Sequence, residues 1–251
     1  MPMQTLKIAT YNVHKGFSQF NARMIVHELR EKLQGIGAEV VFLQEVQGDH
    51  QRHAARYTHW PVKPQYEFLA DSVWSDFAYG KNSIYASGHH GNAILSRFPI
   101  LNWENEDISA HRFESRGLLH CEIRIPGWSE NLHCVCVHLG LFSRGRARQL
   151  IALERRIEKM VPAGAPLVIA GDFNDWRRRA GKILCDRLML HEVFESLGGR
   201  PAASYPAKRP VFRLDRIYVR GFVVKQAEVH CGPLWSRMSD HAALAATIAR
   251  V

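Results

Sequence analysis

Short apolar runs bounded by turn residues recur from one end of the chain to the other. They cover residues 6–11, 40–43, 93–95, 118–125, 132–139, 167–170, 214–219, 222–229 and 242–248. Their length and β-branched content predict strands. Two longer segments carry helical periodicity. Asn21 is placed to cap a helix running to Leu33, with Met24, Leu29 and Leu33 buried and Gly35 as its stop. Residues 145–160 put Leu150, Leu153 and Ile157 on one stripe, and Pro162 ends it. A weaker helical pattern covers residues 181–190. Many strands and few helices predict an α/β protein in which helices flank packed sheets, rather than a strict βαβ alternation.

Composition narrows this picture. With 251 residues, 46% of them hydrophobic, the chain has enough apolar material for a substantial core. Neither a repeat nor a Ser/Gly-rich linker divides it, so residues 1–251 are expected to form one domain. Residues 1–11 contain no apolar stretch long enough for a signal peptide or a membrane span, and nothing later supplies one. The five cysteines are few and odd in number, and Cys134 and Cys136 alternate with valines as strand residues do. A soluble, cytoplasmic monomer in a reducing compartment is the expectation. The net charge of +9 favours anionic partners such as nucleic acid, anionic lipid head groups or phosphorylated small molecules. Charge does not choose among them, and a basic surface also confers solubility.

Polar residues that carry chemistry cluster where the predicted strands end. Glu45 follows the run 40–43, and a carboxylate at the mouth of a buried strand is costly to desolvate without a cation beside it. Its oxygens are hard ligands, suited to Mg²⁺ or Mn²⁺; alone, such a Glu is more often a loop residue. After the run 167–170 comes Gly171-Asp172-Phe173-Asn174-Asp175. With period two, Asp172 and Asn174 share one side while Phe173 points into the core. The pair is suited to hold a water and a phosphate oxygen, and an Asx turn explains the same residues. Asp240-His241 precedes the last apolar run, and Asp215 lies in another. An Asp215–His241 pair would fix the tautomer of the imidazole and raise its pKa; an ion pair of Asp215 with Arg213 or Arg216 is the alternative. Asn12 and His138 end strands and Arg116 precedes one, and an amide, an imidazole and a guanidinium so placed can meet one phosphate. Ten other histidines, His50, His53, His59, His89, His90, His111, His120, His133, His191 and His230, have no metal-ligand spacing.

Taken in order, these segments resemble the endonuclease/exonuclease/phosphatase superfamily, in particular a compact bacterial subgroup. The matching segments are Ala9-Thr10-Tyr11-Asn12, Leu43-Gln44-Glu45-Val46, Gly91-Asn92-Ala93-Ile94-Leu95-Ser96, Ser115-Arg116-Gly117, Val137-His138-Leu139, Gly171-Asp172-Phe173-Asn174, Leu214-Asp215-Arg216-Ile217 and Ser239-Asp240-His241. The resemblance implies a four-layer α/β/β/α sandwich and a metal-dependent phosphodiesterase using Mg²⁺ or Mn²⁺. It implies Glu45 as principal metal ligand, with Asn12 and Asp240 beside it. Asp172 is similar to the residue that polarises the attacking water, and Asn174 to the one that orients it or binds phosphate. His241, paired with Asp215, resembles the histidine that contacts the phosphate, and His138 a candidate general acid. Arg116 corresponds to a phosphate-binding position and Asn92 to a segment lining the site. In pancreatic-type nucleases the counterpart of His138 has a glutamate partner; Glu67 is a possibility here without spacing to support it.

The substrate stays open at this stage. Arg144, Arg146 and Arg148, and Arg177, Arg178 and Arg179, flank the expected site and suit a nucleic-acid backbone, though a solvated helix start explains them too. Trp74, Trp103, Trp128, Trp176 and Trp235 offer aromatic contact to a bilayer interface if they are not core, and would then fit a phospholipid or small phosphodiester with peripheral membrane contact. A non-catalytic phosphate-binding relative is a further reading, which a missing ligand or histidine would reveal.

Overall fold

The computed structural model describes residues 5–18, 23–57, 59–111, 114–176 and 179–251. The strands are β1 (Thr5–Asn12), β2 (Val40–His50), β3 (Asp76–Tyr85), β4 (Gly88–Ser96), β5 (Ile100–Asp107), β6 (Gly117–Ile123), β7 (Leu132–His138), β8 (Leu167–Asp172), β9 (His191–Glu192), β10 (Asp215–Arg220), β11 (Phe222–His230) and β12 (Ala243–Arg250). The helices are α1 (Val26–Ile36), α2 (Gln51–Arg56), α3 (Gln65–Ala70), α4 (Ser143–Met160), α5 (Arg179–Leu188) and α6 (Val193–Gly198).

Two six-stranded sheets form, in the orders β11-β12-β1-β2-β4-β3 and β5-β6-β7-β8-β10-β9. Both are built on one plan. A central parallel pair, β1 with β2 or β7 with β8, is flanked by antiparallel neighbours. Each parallel pair is joined by a helical crossover, α1 in one sheet and α4 in the other, as parallel pairing requires.

Side-chain alternation assigns the layers. Along β1, Leu6 and Ile8 face the other sheet while Ala9 and Tyr11 face outward to the α1 side. Along β8, Val168 and Ala170 face inward while Leu167 and Ile169 meet α4 and α5. Both faces of each central strand are therefore buried, which is why these strands read as nearly continuous apolar runs. The architecture is the expected α/β/β/α sandwich.

Every apolar run singled out in the sequence falls on a strand. The elements without such a signal are peripheral or short. Strand β5 is an edge strand, largely exposed, and its Asn-Trp-Glu-Asn-Glu stretch lacks an apolar face. Helices α2, α3 and α6 have six residues each, too few to display a 3.6 period. Helix α1 runs past Gly35 and stops at Gly37, whose left-handed φ of 72° terminates it. Asn21, expected to cap it, lies outside the described residues. Among the described residues, no helix is long and apolar enough to cross a membrane.

Candidate active site

The inward-facing row of side chains does not stop where the apolar core stops. On β1 it continues from Ile8 through Thr10 to Asn12; on β7 from Cys134 through Cys136 to His138; on β8 from Ala170 to Asp172. Strand β10 starts the same row with Asp215, directly opposite Asp172 in register. First comes a polar layer. The Gln44 amide donates to Thr10 Oγ1 at 3.2 Å and to Cys136 Sγ at 3.2 Å, and Asn92 Nδ2 donates to the Gly117 carbonyl at 3.0 Å. Above this layer the sheets open into a cavity of about 500 Å³, lined by Asn12, Glu45, Arg116, His138, Asp172, Asn174, Asp240 and His241 among others.

Asp172 is the hub of this cavity. Its Oδ2 is 3.4 Å from Asn12 Nδ2, 3.5 Å from His138 Nε2 and 3.8 Å from His241 Nε2, and its Oδ1 accepts the Asn174 backbone N–H at 2.9 Å. That last bond is an Asx turn, so the bland reading of Gly-Asp-Phe-Asn and the functional one hold together. Phe173 is fully buried against Tyr218. On the far side of His241, Nδ1 lies 2.8 Å from Asp215 Oδ2. The arginines that competed for Asp215 turn elsewhere: Arg216 Nη1 donates to the carbonyls of Arg213 and Asp215, and Arg213 Nε to that of Pro201. Asp172, Asp215 and His241 thus form a buried cluster whose ligating atoms lie within 4.8 Å of one another.

Glu45 reaches the cavity by a different device. The β2–β4 register shifts between Leu43 and Val46, and Glu45 there adopts a left-handed φ of 55°. The bulge breaks the alternation and re-aims the carboxylate. Its Oε2 is buried with no hydrogen-bond partner, and the nearest cation is Lys15 Nζ at 3.8 Å. Asp240 has a matching neighbour in His14 Nδ1, at 3.5 Å. Ser239 ties the two ends of this wall together, donating its hydroxyl to the Asn12 carbonyl at 2.7 Å while accepting the His241 N–H at 3.1 Å.

The electrostatics separate these groups. Burial raises the Glu45 carboxyl, but His138, Lys15, His14 and His90 outweigh it and hold the pKa at about 2. Burial pushes Asp172 up to about 6, partly offset by His241. For His241 burial favours the neutral ring, yet Asp215 and Asp172 prevail and raise it to about 10. Burial and the Arg116 guanidinium drive His138 down to about 3. At neutral pH the cavity therefore holds an anionic Glu45, a cationic His241, a neutral His138 and an Asp172 poised near the working range.

The expected site residues converge with one exception. Asn92 sits in the polar layer beneath the cavity, fully buried and bonded across the sandwich, rather than on its wall. Arg116 lines the cavity and is anchored by Nε to the Leu139 carbonyl at 3.3 Å and by Nη2 to Glu114 Oε1 at 3.3 Å. Glu67 lies in α3 and is not on the cavity wall; the acid beside His138 is Asp172. Arg146 is buried, donating to the carbonyls of Gly140 and Leu141, so it serves the loop rather than an exposed phosphate track. Arg177 and Arg178 lie outside the described residues. Trp74 is core, whereas Trp176 is on the rim.

Sequence reasoning passed over four residues near the cavity. His14 and Lys15 come two and three residues after Asn12, and that nearness was the available signal. His90, set aside for lack of ligand spacing, acts on both Glu45 and His138. Glu114, which braces Arg116 and accepts the Leu141 N–H at 2.9 Å, had no signal. A larger cavity of about 620 Å³ beside α2 includes Asp49, His50 and Lys63, but among the described residues it has no cluster of acidic and imidazole groups like that around Asp172.

Residues 9–241 match the endonuclease/exonuclease/phosphatase family. The chain belongs to this family. It is 45% identical to the protein named Uncharacterized protein YbhP of Escherichia coli (strain K12), over 99% of each chain. Among solved structures it is similar to an endonuclease/exonuclease/phosphatase from Beutenbergia cavernae DSM 12333, at a TM-score of 0.77 and 17% identity, covering 98% of this chain and 72% of that one. It is also similar to D. rerio TDP2 complexed with single strand DNA product, at a TM-score of 0.73 and 19% identity, covering 98% and 99%. At such identities the likeness speaks for the fold. The cavity lies where the two sheets present the ends of their central strands.

Proposed function

We propose that this family member is a divalent-metal-dependent hydrolase of phosphodiesters that uses water as the nucleophile. The observation that carries this reading is the Asp172 hub. A buried carboxylate is within reach of an amide and two imidazoles, beside a Glu45 carboxylate oxygen that accepts no hydrogen bond.

Members of the family typically use divalent metals, and the donor set suits one. Glu45, Asn12 and Asp240 offer hard oxygens appropriate to Mg²⁺ or Mn²⁺, and a buried carboxylate oxygen that accepts no hydrogen bond fits a cation ligand. When bound, such an ion supplies positive charge against the phosphate. Lys15 and His14, which pair with these carboxylates, are its natural competitors.

The chain's own groups then divide the work. Asp172 accepts the proton of the attacking water, as a base poised near the working pH should. Asn174 fixes Asp172 through its N–H and, with its side chain held by the Leu139 carbonyl at 2.9 Å, narrows where the water can sit. The His241 imidazolium, locked by Asp215, donates to a non-bridging phosphate oxygen, and Arg116 holds a second. The water oxygen bonds to phosphorus as the bond to the leaving oxygen breaks. His138, neutral at rest, takes the water's proton from Asp172, 3.5 Å away, and passes it to the leaving oxygen. Burial is the larger cause that keeps the ring neutral and Arg116 the second; an anionic phosphodiester beside Arg116 offsets the second and so favours the protonated ring during that transfer. A purely phosphate-binding role is disfavoured because Asn12, Glu45, Asp172, Asp240 and His241 all stand on the cavity wall.

Hydrolysis of bis-p-nitrophenyl phosphate with added Mg²⁺ or Mn²⁺ tests this. Glu45→Gln and His241→Ala are each expected to lower turnover about 100-fold or more, equivalent to about 3 kcal/mol. Near-native turnover in both variants, or wild-type turnover unaffected by a chelator, would overturn the assignment.

A further inference from the structure

The rim of the cavity exposes apolar side chains that the chemistry of a phosphate does not use. Leu141 is 54% exposed, Phe142 65%, Trp176 48%, Val211 63% and Phe212 52%. Leu141, Trp176 and Phe212 line the cavity itself, and Trp176 and Phe212 continue with Val211 into an adjoining groove of about 300 Å³. These residues come from three separate segments: the connection from β7 to α4, the segment after β8, and the loop closed by the Tyr205–Phe212 bridge. Exposed apolar residues scattered singly need no explanation, but a set gathered around one opening marks an interaction surface.

In two of these segments every charged residue is basic, and the third, after β8, carries Asp175, which is buried. Arg144, Arg148, Arg200, Lys208 and Arg209 are exposed, and residues 139–149 and 196–214 contain no Asp or Glu. The surface is thus both apolar and cationic. A bilayer of anionic phospholipid has the complementary pair of properties, since apolar side chains enter the acyl boundary while basic ones meet the head groups. Trp176 and Phe212 suit the head-group level. A single-stranded nucleic acid would use flat rings for stacking but has no use for exposed aliphatic Leu141 and Val211.

We propose that this rim docks the protein on an anionic phospholipid surface and that the phosphodiester it hydrolyses is that of a lipid head group. The substrate half of the proposal rests on the hydrolase reading above; the docking half does not. Docking places the phosphate plane of the bilayer at the cavity mouth, so a head-group phosphate enters with its acyl chains left in the membrane.

Co-sedimentation of the full chain with vesicles, in chelator to suppress turnover, reads the docking. Wild type is expected to bind vesicles of phosphatidylglycerol and phosphatidylcholine at least roughly tenfold more tightly than phosphatidylcholine alone. The double variant Phe142→Ser, Val211→Ser changes two residues outside the main cavity, one of them at the N-cap of α4, where serine is a favoured residue. It should lose roughly tenfold or more in vesicle binding while keeping the wild-type circular dichroism and the wild-type turnover of bis-p-nitrophenyl phosphate. Equal binding to both vesicle types, or a double variant that binds as wild type does, overturns the docking. With Mg²⁺ or Mn²⁺ restored, phosphatidylglycerol in vesicles should be cleaved and a single-stranded oligonucleotide left intact; the reverse overturns the substrate class. Failure on the soluble diester condemns the hydrolase reading, whereas success there with no vesicle binding condemns only the docking.

Discussion

Several residues of the site hold a backbone conformation that L-amino acids seldom adopt. His14 (φ 45°), Lys15 (φ 59°), Glu45 (φ 55°) and Asn174 (φ 49°) are left-handed without being glycine. Each such residue costs about 1–3 kcal/mol, and strain of this kind persists where the surroundings over-determine it. Here it accompanies the turn at which Asp172 and Asn174, either side of the buried Phe173, both serve the cavity. Gly171 beside them has a φ of 147°, and a Cβ on it would lie 1.9 Å from the Val137 carbonyl oxygen. Backbone cannot yield as a flexible side chain can. Gly171→Ala is therefore expected to destabilise the fold by about 2 kcal/mol or more and, by shifting Asp172, to cut turnover roughly tenfold beyond any loss of folded protein. Urea denaturation and turnover per folded molecule measure the two effects separately.

At the scale of elements, alternation along strands made much of the site legible. Asn12, His138 and Asp172 continue the inward rows of β1, β7 and β8, so their common orientation follows from period two. Glu45 does not follow from it. Its aim depends on the bulge against β4, a partner far away in sequence, and extending the alternation past Leu43 misplaces it. Helix α6 offers a test of burial at an element's end. Glu192 caps it, accepting the Glu195 N–H at 2.8 Å, and burial raises its carboxyl to about 7 against opposition from that bond and Arg216. A raised pKa means that the stability contributed by the neutral carboxyl is complete below its ordinary 4.5 and is lost as pH climbs through about 7. Glu192→Gln keeps an acceptor and cannot ionise. It should stabilise the protein by on the order of 1 kcal/mol at about pH 8, with the gain shrinking toward zero in acid, as melting curves across pH would show.

At the scale of the whole molecule, the site exists only because two sheets pack. Asn12 and Glu45 ride on one sheet, His138, Asp172 and Asp215 on the other. The packing between them is the shared core to which Phe42, fully buried on β2, belongs. Phe42→Ala should cost about 3–5 kcal/mol in chemical denaturation, and an unchanged midpoint would contradict the role given to the inter-sheet core.

The amino-acid sequence by itself determined which segments are strands, which faces of them are apolar, and which polar residues stand at their ends. These are local properties, set by composition and by the two-residue period. It also carried the order of segments by which the family is known. Tertiary structure alone decided which strand ends meet, because β1 with β12 and β8 with β10 are pairings between distant segments that no local pattern encodes. It decided that Asn92 lies beneath the cavity, that His90, Lys15 and Glu114 attend it, and that the loops after β7 and β8 and before β10 surround it with exposed apolar groups. Burial, and with it the spread of pKa values from Glu45 to His241, is a property of the neighbours a residue acquires on folding, and a sequence lists residues without their neighbours.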